Sequence, residues 1–443
     1  MILVPFLSGK NVVVMGLGKS GTATARALMA SGAQVTAWDD NEASRTAAAD
    51  AGVPVAAPDL TGVDLVVWSP GIPHTHPVEK AHPLAAKARA ANIPVVCDVE
   101  LLALAKPSNR MLAVTGTNGK STTTTLLAHV LAEAGRDVAA GGNLGTAALD
   151  MPDLSVEGRY VLELSSYQLE LVNSLRVQAG VLLNITPDHL GRHGGMDGYV
   201  NAKRRLFDLI AAGGTAVIGV DDDHCARMAD ELPEAIRISA EQTLERGISA
   251  ADGILRMDGV DVVDLRPIAR LPGRHNWQNA CAVFALARAD GIAPELIAKA
   301  LASYPGLAHR QQLVAVIDGV TYVNDSKGTN ADAVEKALVC YGRIHWILGG
   351  QAKEGGIESL VPHFSRIAHA YLIGEATDAF AKTLDGRVPY SKCGELVTAV
   401  TSAHAMAEPG DVVLLSPACA SWDQFKSFEH RGDVFRQLVE GLK

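Results

Sequence analysis

The stretch Gly116–Thr117–Asn118–Gly119–Lys120–Ser121–Thr122 bears most directly on chemistry. It follows the apolar run MLAVT and opens a long helical stretch, so it reads as a loop between a strand and a helix. In that setting glycines let the backbone wrap a phosphate, Lys120 reaches terminal phosphate oxygens, and Ser121 or Thr122 can place a hydroxyl on Mg²⁺. The spacing departs from G-x-x-x-x-G-K-[ST]: Val114 stands five positions before Gly119, and the first glycine has moved to Gly116. Even so, chance supplies such a pattern only about 0.01 times per chain, which makes an ATP site the sharpest inference from residue chemistry alone.

Two further groups stand where strands run into loops, the edge at which open α/β sheets place ligands: Glu163 in YVLELSS and His189 in NITPDHLGRH. A carboxylate and an imidazole beside a phosphate loop could hold Mg²⁺. An isolated buried carboxylate is costly, which favours a functional Glu163, whereas His189 reads equally well as a hydrogen-bonded loop histidine. Lys203, in GYVNAKRRLF, reads as a solvated helix lysine, and composition does not single it out.

Near the N-terminus, Gly16–Leu17–Gly18–Lys19–Ser20–Gly21 matches G-x-G-x-x-G after a strand, with Asp39 and Asp40 ending the next strand. At 42 glycines in 443 residues the bare pattern arises by chance about 0.4 times, so it argues for a phosphate-receiving turn rather than for NAD. A dinucleotide or a nucleotide diphosphate would fit. Toward the C-terminus, Asp325–Asn330 and Ser416–Ser421 are loop and helix-start segments suited to anions, and His309–Arg310 places a guanidinium beside Tyr304–Pro305–Gly306, a candidate hinge. Taken singly, these three read as polar strand ends.

These residues must be positioned by strands and helices in alternation: NVVVMG, then TATARALMASG, then QVTAWDD, with the pattern restarting at MLAVTG and again at VTYVND. Such alternation gives parallel sheets. At about 150 residues per domain the length allows three. The expected fold class is α/β with three domains: a Rossmann-like unit over 1–99, a central P-loop ATPase-like unit over 100–306, and a Rossmann-like unit over 307–443. Hydrophobic residues at 48%, charged residues at 20% and a mean hydropathy of +0.13 fit a folded soluble protein and argue against membrane insertion. The net charge of −10 disfavours nucleic acid. Six scattered cysteines without a C-x-x-C pair fit free thiols in a reducing cytoplasm, and MILVPFLSGK lacks the basic segment of a signal peptide.

Together the motifs resemble the Mur ligases over essentially the whole chain. The markers are GTNGKST (116–122), GGNLG (141–145), ELSSYQLE (163–170), NITPDHL (184–190), Lys203 in YVNAKRRLF, LPGRHNWQNA (271–280), HR (309–310) and NDSKGTN (324–330). LSPACASWDQFKSFEHRG (415–432) marks the branch that adds D-glutamate, and the D-N-P-R signature of the next step is absent. The resemblance implies ATP-dependent joining of D-glutamate to UDP-N-acetylmuramoyl-L-alanine through an acyl phosphate and a tetrahedral intermediate, in peptidoglycan precursor synthesis. It implies a UDP site at Ser20, Gly21, Asp39, Ser69 and Gly71, and contacts to the sugar-peptide substrate from Asn143 and Gln168. ATP would bind at Gly116–Thr122 with Asn276, Asn279, Arg310 and Asp325. D-glutamate would meet Lys327, Thr329, Lys353, Ser421 and Phe428. One Mg²⁺ would lie near Ser121 and Glu163 and a second near His189 and Lys203, the lysine carbamylated by CO₂; Lys120, Glu163, His189, Lys203, Arg310 and Asp325 would be catalytic. A monomer is expected. Gly191 stands where the family usually carries an acidic residue. The rival readings are a folylpolyglutamate-type ligase, against which the N-terminal glycine turn argues, an NAD-dependent oxidoreductase, and a P-loop protein using ATP hydrolysis as a switch.

Overall fold

The computed structural model of the chain describes residues 1–143, 145–352 and 355–442, and they form an α/β protein built on three sheets. They divide into two compact units, one comprising 1–265 with 277–303 and the other 266–276 with 304–443. No helix among the described residues is long and apolar enough to cross a membrane.

In the first unit NVVVM forms β1 (Asn11–Met15), flanked in parallel by β2 (Gln34–Trp38) and β3 (Leu65–Trp68), with β4 (Val95–Val96) beyond β3. The helices α1 (Lys19–Ala30), α2 (Glu42–Asp50) and α3 (Pro83–Ala90) connect these strands, and α4 (Asp98–Ala105) leads onward. All of LVVW and four residues of NVVVM are buried, because parallel strands are covered on both faces. The order β2-β1-β3-β4 reverses at β1, so the glycine turn after β1 opens where such sheets receive ligands.

The second sheet centres on β5 (Arg110–Thr115), followed by α5 (Lys120–Glu133), β6 (Val138–Gly142), β7 (Arg159–Glu163), the short α6 (Ser166–Leu169) and β8 (Val177–Leu182). Then come α7 (Leu190–His193), α8 (Met196–Asp208), β9 (Ile210–Gly219), α9 (Asp223–Glu231), β10 (Ile236–Ser239) and β11 (Ile248–Ser249). β5 lies between β7 and β8, both parallel to it, so the loops after three adjacent strands share one edge. An antiparallel pair, β12 (Ile254–Met257) and β13 (Val260–Asp264), ends the sheet. α10 (Arg274–Ala289) crosses from one unit to the other, and α11 (Pro294–Ser303) follows.

The second unit starts its sheet with the hairpin β14 (Gln312–Ile317) and β15 (Val320–Asn324). Its turn is Asp318–Gly319, with φ of 49° and 79°, as a two-residue hairpin that follows the strand twist requires. Asp258–Gly259 does the same between β12 and β13. After α12 (Ala331–Leu338) come β16 (Ile344–Gly349), β17 (Ile367–Ile373), α13 (Thr377–Leu384), β18 (Tyr390–Gly394), α14 (Leu396–Met406), β19 (Val412–Leu415) and α15 (Phe428–Glu440). Trp346, Leu348 and Leu414 pack one face of the sheet while Ile347, Val413 and Leu415 pack the other, the period-two alternation of a doubly covered sheet. The order β14-β15-β19-β16-β17-β18 makes the ends of β15, β19 and β16 neighbours.

Candidate active site

The loop Gly116–Thr122 begins where β5 ends and closes on Gly119, the N-cap of α5 with φ 85°. No side chain caps α5 and no acidic residue lies in its first turn, which leaves helix-start N–H groups and a positive dipole end directed at the loop. Both glycines leave little room for a side chain. A Cβ on Gly119 would collide with Asn279 Oδ1, and one on Gly116 would come within 3.0 Å of Leu183 Cβ. The loop is tied down by Thr117 N–H to Asn184 O (2.9 Å) and Asn118 N–H to Asn184 Oδ1 (2.9 Å). Thr123 Oγ1 donates to Asn279 Oδ1 at 3.1 Å, so Asn279 braces the loop from α10. Lys120 Nζ donates to Gly116 O at 2.9 Å and Thr117 O at 2.8 Å.

Glu163 ends β7, the neighbour of β5, and is 2% exposed. Its Oε1 accepts from Asn143 Nδ2 at 2.7 Å, while Oε2 is buried without a hydrogen-bond partner. Such an orphaned carboxylate oxygen calls for a cation. Lys203, predicted to be solvated, is instead 1% exposed on α8, with Nζ donating to Gly116 O at 2.7 Å and lying 4.8 Å from the centre of the Tyr199 ring. It shares the buried face of α8 with Tyr199, Ala202 and Leu206, so packing overturns the solvated reading. Burial, reinforced by the Lys120 charge, holds this amine well below the usual lysine range.

His189 is the N-cap of α7 with φ 52°, and burial lowers its pKa. Its ring lies 5.1 Å from Tyr167. Behind it stands a network that sequence reasoning missed: Glu170, Arg192, His193, Tyr199 and His74, gathered on one carboxylate and two aromatic rings. Its members stand in the sequence only as unremarked residues of ELSSYQLE, NITPDHLGRH and GYVNAKRRLF, with His74 in none of them. A Cβ on Gly191 would meet nothing within 4 Å, so an acidic side chain there would reach open space. Ser121 and Thr122 are each 7% exposed in the first turn of α5. Among the described residues no group of three His, Cys, Asp or Glu converges as a ready-made metal cage.

In the first sheet, Cβ atoms on Gly16 and Gly21 would strike Ser69 Cβ and Gly16 O, so the turn packs against the loop carrying Ser69 and Gly71. Asp39 closes it by accepting from Leu17 N–H (2.7 Å) and Asn41 N–H (2.8 Å). Ser20 lies in the uncapped first turn of α1. Gln168 is committed to the fold: its Oε1 accepts from the N–H and hydroxyl of Ser165 in a capping box, and its side chain also hydrogen-bonds Asp98. Asn143 is exposed.

In the second unit the loops after β15 and β19 meet. Asp325, 4% exposed, accepts from Ser416 Oγ (2.6 Å) and Gln311 N–H (3.1 Å), and burial pushes its pKa up to about 6. Lys327 N–H donates to His309 O at 2.9 Å, and its ammonium lies 5.7 Å from the Phe428 ring centre. Thr329 N–H donates to Lys327 O at 2.8 Å. Ser421 is 2% exposed, and Arg310 is half-buried one residue from Gln311. Asn276 Nδ2 donates to Pro272 O at 2.7 Å. Fully buried Arg431, also missed, gives Nε to Ser326 Oγ (2.9 Å) and Nη2 to Ser326 O (2.9 Å) and Cys419 O (3.2 Å), clamping both loops together. Lys353 lies outside the described residues.

Residues 10–97 match the Mur ligase MurD-like N-terminal domain, 114–287 the Mur ligase middle domain, and 309–419 the Mur ligase glutamate ligase domain. A UDP-N-acetylmuramoylalanine–D-glutamate ligase of Paramagnetospirillum magneticum is 65% identical over 100% of this chain and 99% of its own length. The enzyme of the same name from Rhodospirillum rubrum is 53% identical over 98% and 95%. The crystal structure of the UDP-N-acetylmuramate-alanine ligase from Thermotoga maritima covers 98% of this chain and 100% of its own at a TM-score of 0.62 and 16% identity, a likeness of fold. The chain belongs to the Mur ligase family.

Proposed function

We propose that this chain joins D-glutamate to UDP-N-acetylmuramoyl-L-alanine at the expense of ATP, as a cytoplasmic monomer in peptidoglycan precursor synthesis. The observation that carries the reading is the 65% identity, end to end, with a relative of that name. Residues 1–99 take the UDP moiety through Ser20, Gly21, Asp39, Ser69 and Gly71. Residues 100–306 take ATP, and 307–443 take the amino acid.

A carboxylate is a poor electrophile, so the alanyl carboxylate is first phosphorylated by ATP; the amine of D-glutamate then attacks the acyl phosphate and phosphate leaves. The N–H groups of Gly116–Thr122 and the Lys120 ammonium hold the phosphates, with Asn276, Asn279, Arg310 and Asp325 completing the nucleotide site. Asn143 and Gln168 border the sugar-peptide, Gln168 by shaping α6. Lys327, Thr329, Lys353, Ser421 and Phe428 receive D-glutamate, whose carboxylates need cations and N–H donors.

Mg²⁺ fits the chemistry of the residues present, given the buried unpartnered Oε2 of Glu163 and the Ser121 hydroxyl in the first turn of α5, and it would take its remaining ligands from phosphate and water. When bound it supplies charge neutralisation at the transferring phosphoryl group. His189 and Lys203 would hold a second ion. A cationic lysine would repel it, but the desolvated Lys203 amine is suited to lose its proton and add to CO₂, giving an anionic carbamate. The test is phosphate release with ATP, Mg²⁺ and the UDP substrate, offering D-glutamate against L-glutamate, lysine and diaminopimelate. Release that depends on D-glutamate is expected; release indifferent to the amino acid would overturn the proposal.

A further inference from the structure

The carboxylate of Glu170, at the C-cap of α6, gathers three donors from two segments: His193 Nδ1 at 2.9 Å and Arg192 Nη1 at 3.4 Å from α7, and His74 Nε2 at 3.2 Å from the loop after β3. Burial would raise its pKa, yet these partners hold it down at about 2, so it is a carboxylate at any working pH. Two routes lead from it into the candidate site. In one, His193, whose Nε2 is fixed by Ser166 Oγ at 2.9 Å, packs 5.4 Å from Tyr199. The Tyr199 hydroxyl meets Thr117 Oγ1 at 3.0 Å, and its ring face meets Lys203 Nζ. In the other, the Arg192 guanidinium lies 4.9 Å over Tyr167, and Tyr167 lies against His189.

The turn holding His189 needs such anchoring. α7 has four residues, between His189 and Gly194, both in the left-handed region, and a single helical turn has no stability of its own. Arg192 and His193 are therefore what fix it, and both end on Glu170. Gly198 allows α8 to approach, since a Cβ there would strike His193 O. The third donor, His74, belongs to the loop after β3 that also carries Ser69 and Gly71, so the same carboxylate ties the turn to that loop.

We propose that Glu170 is a positioning residue of the ligase reaction, setting His189 and Lys203 through Arg192–Tyr167 and His193–Tyr199 and joining them to the UDP-substrate loop through His74. The proposal deepens the function assigned above and rests on it.

Glu170→Gln keeps the shape and removes the charge and one of the two acceptor oxygens. In the full chain, kcat should fall about 10–100-fold, the usual loss when a residue orienting a metal ligand is changed. KM for D-glutamate should stay within about twofold, because the residues proposed to receive it lie off both routes. The His189 Cε1–H resonance of the ligand-free chain, assigned with His189→Gln, should shift. His74→Leu cuts only the third branch and should raise KM for the UDP substrate while keeping kcat. If Glu170→Gln does not fold, Arg192→Lys, which keeps charge but cannot stack flat on Tyr167, should give the same kcat loss and the same shift. An unchanged kcat, or a kcat loss with an unmoved His189 resonance, overturns the proposal. The resonance needs no substrate, so it tests Glu170 even if the parent chain proves inactive with D-glutamate.

Discussion

Replacing Asp325 by asparagine should make the protein more stable and less active, and the size of the first effect follows from its surroundings. The carboxyl is buried, and burial outweighs the hydrogen bonds from Ser416 and Gln311, so its pKa is pushed up to about 6. Because the folded value is raised above the unfolded one, its contribution to stability is fully present below about pH 4 and is lost as pH rises through 6. From about 3.9 to about 6, at 1.36 kcal/mol per pH unit, the ionised carboxylate costs the fold about 3 kcal/mol at pH 8. Asparagine can keep both contacts. Its oxygen accepts from Gln311 N–H, and its amide donates to the Ser416 hydroxyl, which rotates to accept. Urea unfolding of Asp325→Asn and parent from pH 4 to 8 should give the variant an advantage of about 1–3 kcal/mol at pH 8 that shrinks toward zero near pH 4. ATP-dependent phosphate release should fall meanwhile if Asp325 serves the nucleotide site as proposed. A variant that is less stable at pH 8, or whose advantage does not depend on pH, would refute the reasoning.

Other perturbations follow from the same geometry. Lys203→Ala should abolish turnover, and activity of the parent stripped of CO₂ should recover on adding bicarbonate; mass spectrometry that detects no carbamate, together with no response to bicarbonate, would refute the modification. Glu163→Gln should raise the Mg²⁺ concentration needed for half-maximal rate by about 10–100-fold without lowering the melting temperature, since the orphaned Oε2 contributes no bond to the fold. Gly21→Ala should destabilise the chain by about 1–3 kcal/mol in chemical denaturation, because its Cβ would strike Gly16 O, and should weaken binding of the UDP substrate in calorimetry. Arg431→Lys should raise KM for D-glutamate, since one ammonium cannot replace both Nε on Ser326 Oγ and Nη2 on the carbonyls of Ser326 and Cys419, and a KM within about twofold of the parent would contradict the clamp.

What the sequence disclosed follows the range of the forces involved. The strand-loop-helix at 111–133 and the alternation of strands and helices that gives parallel sheets are encoded by neighbours in the chain, and they appear in the fold as their residues suggest. Glu163 was legible because a charge in an apolar strand needs an explanation. Lys203 was not, because its burial depends on α8 packing beneath Gly116, a contact between residues 87 apart in the chain. Glu170 and Arg431 were hidden for the same reason. Each makes its bonds to segments that only the folded chain brings together, and neither stands at the end of a strand where chemistry is looked for.

The net charge of −10 poses a problem for a protein whose proposed ligands are all anionic, and the site suggests how it is met. Long-range attraction would favour cations, and it is screened within about 8 Å at physiological ionic strength. On the proposed reading, recognition then depends on donors whose field is local: helix starts at Gly18 and Gly119 that no side chain caps, and lysines at Lys120 and Lys327. Lys120 and Lys203 touch the same carbonyl, Gly116 O, so two amines are forced together there. That repulsion, added to burial, lowers the Lys203 pKa, and it would vanish if the amine became a carbamate. The same crowding that makes a cationic lysine unfavourable beside Lys120 would stabilise an anionic one, so the charge of Lys203 and the phosphate loop must be set together.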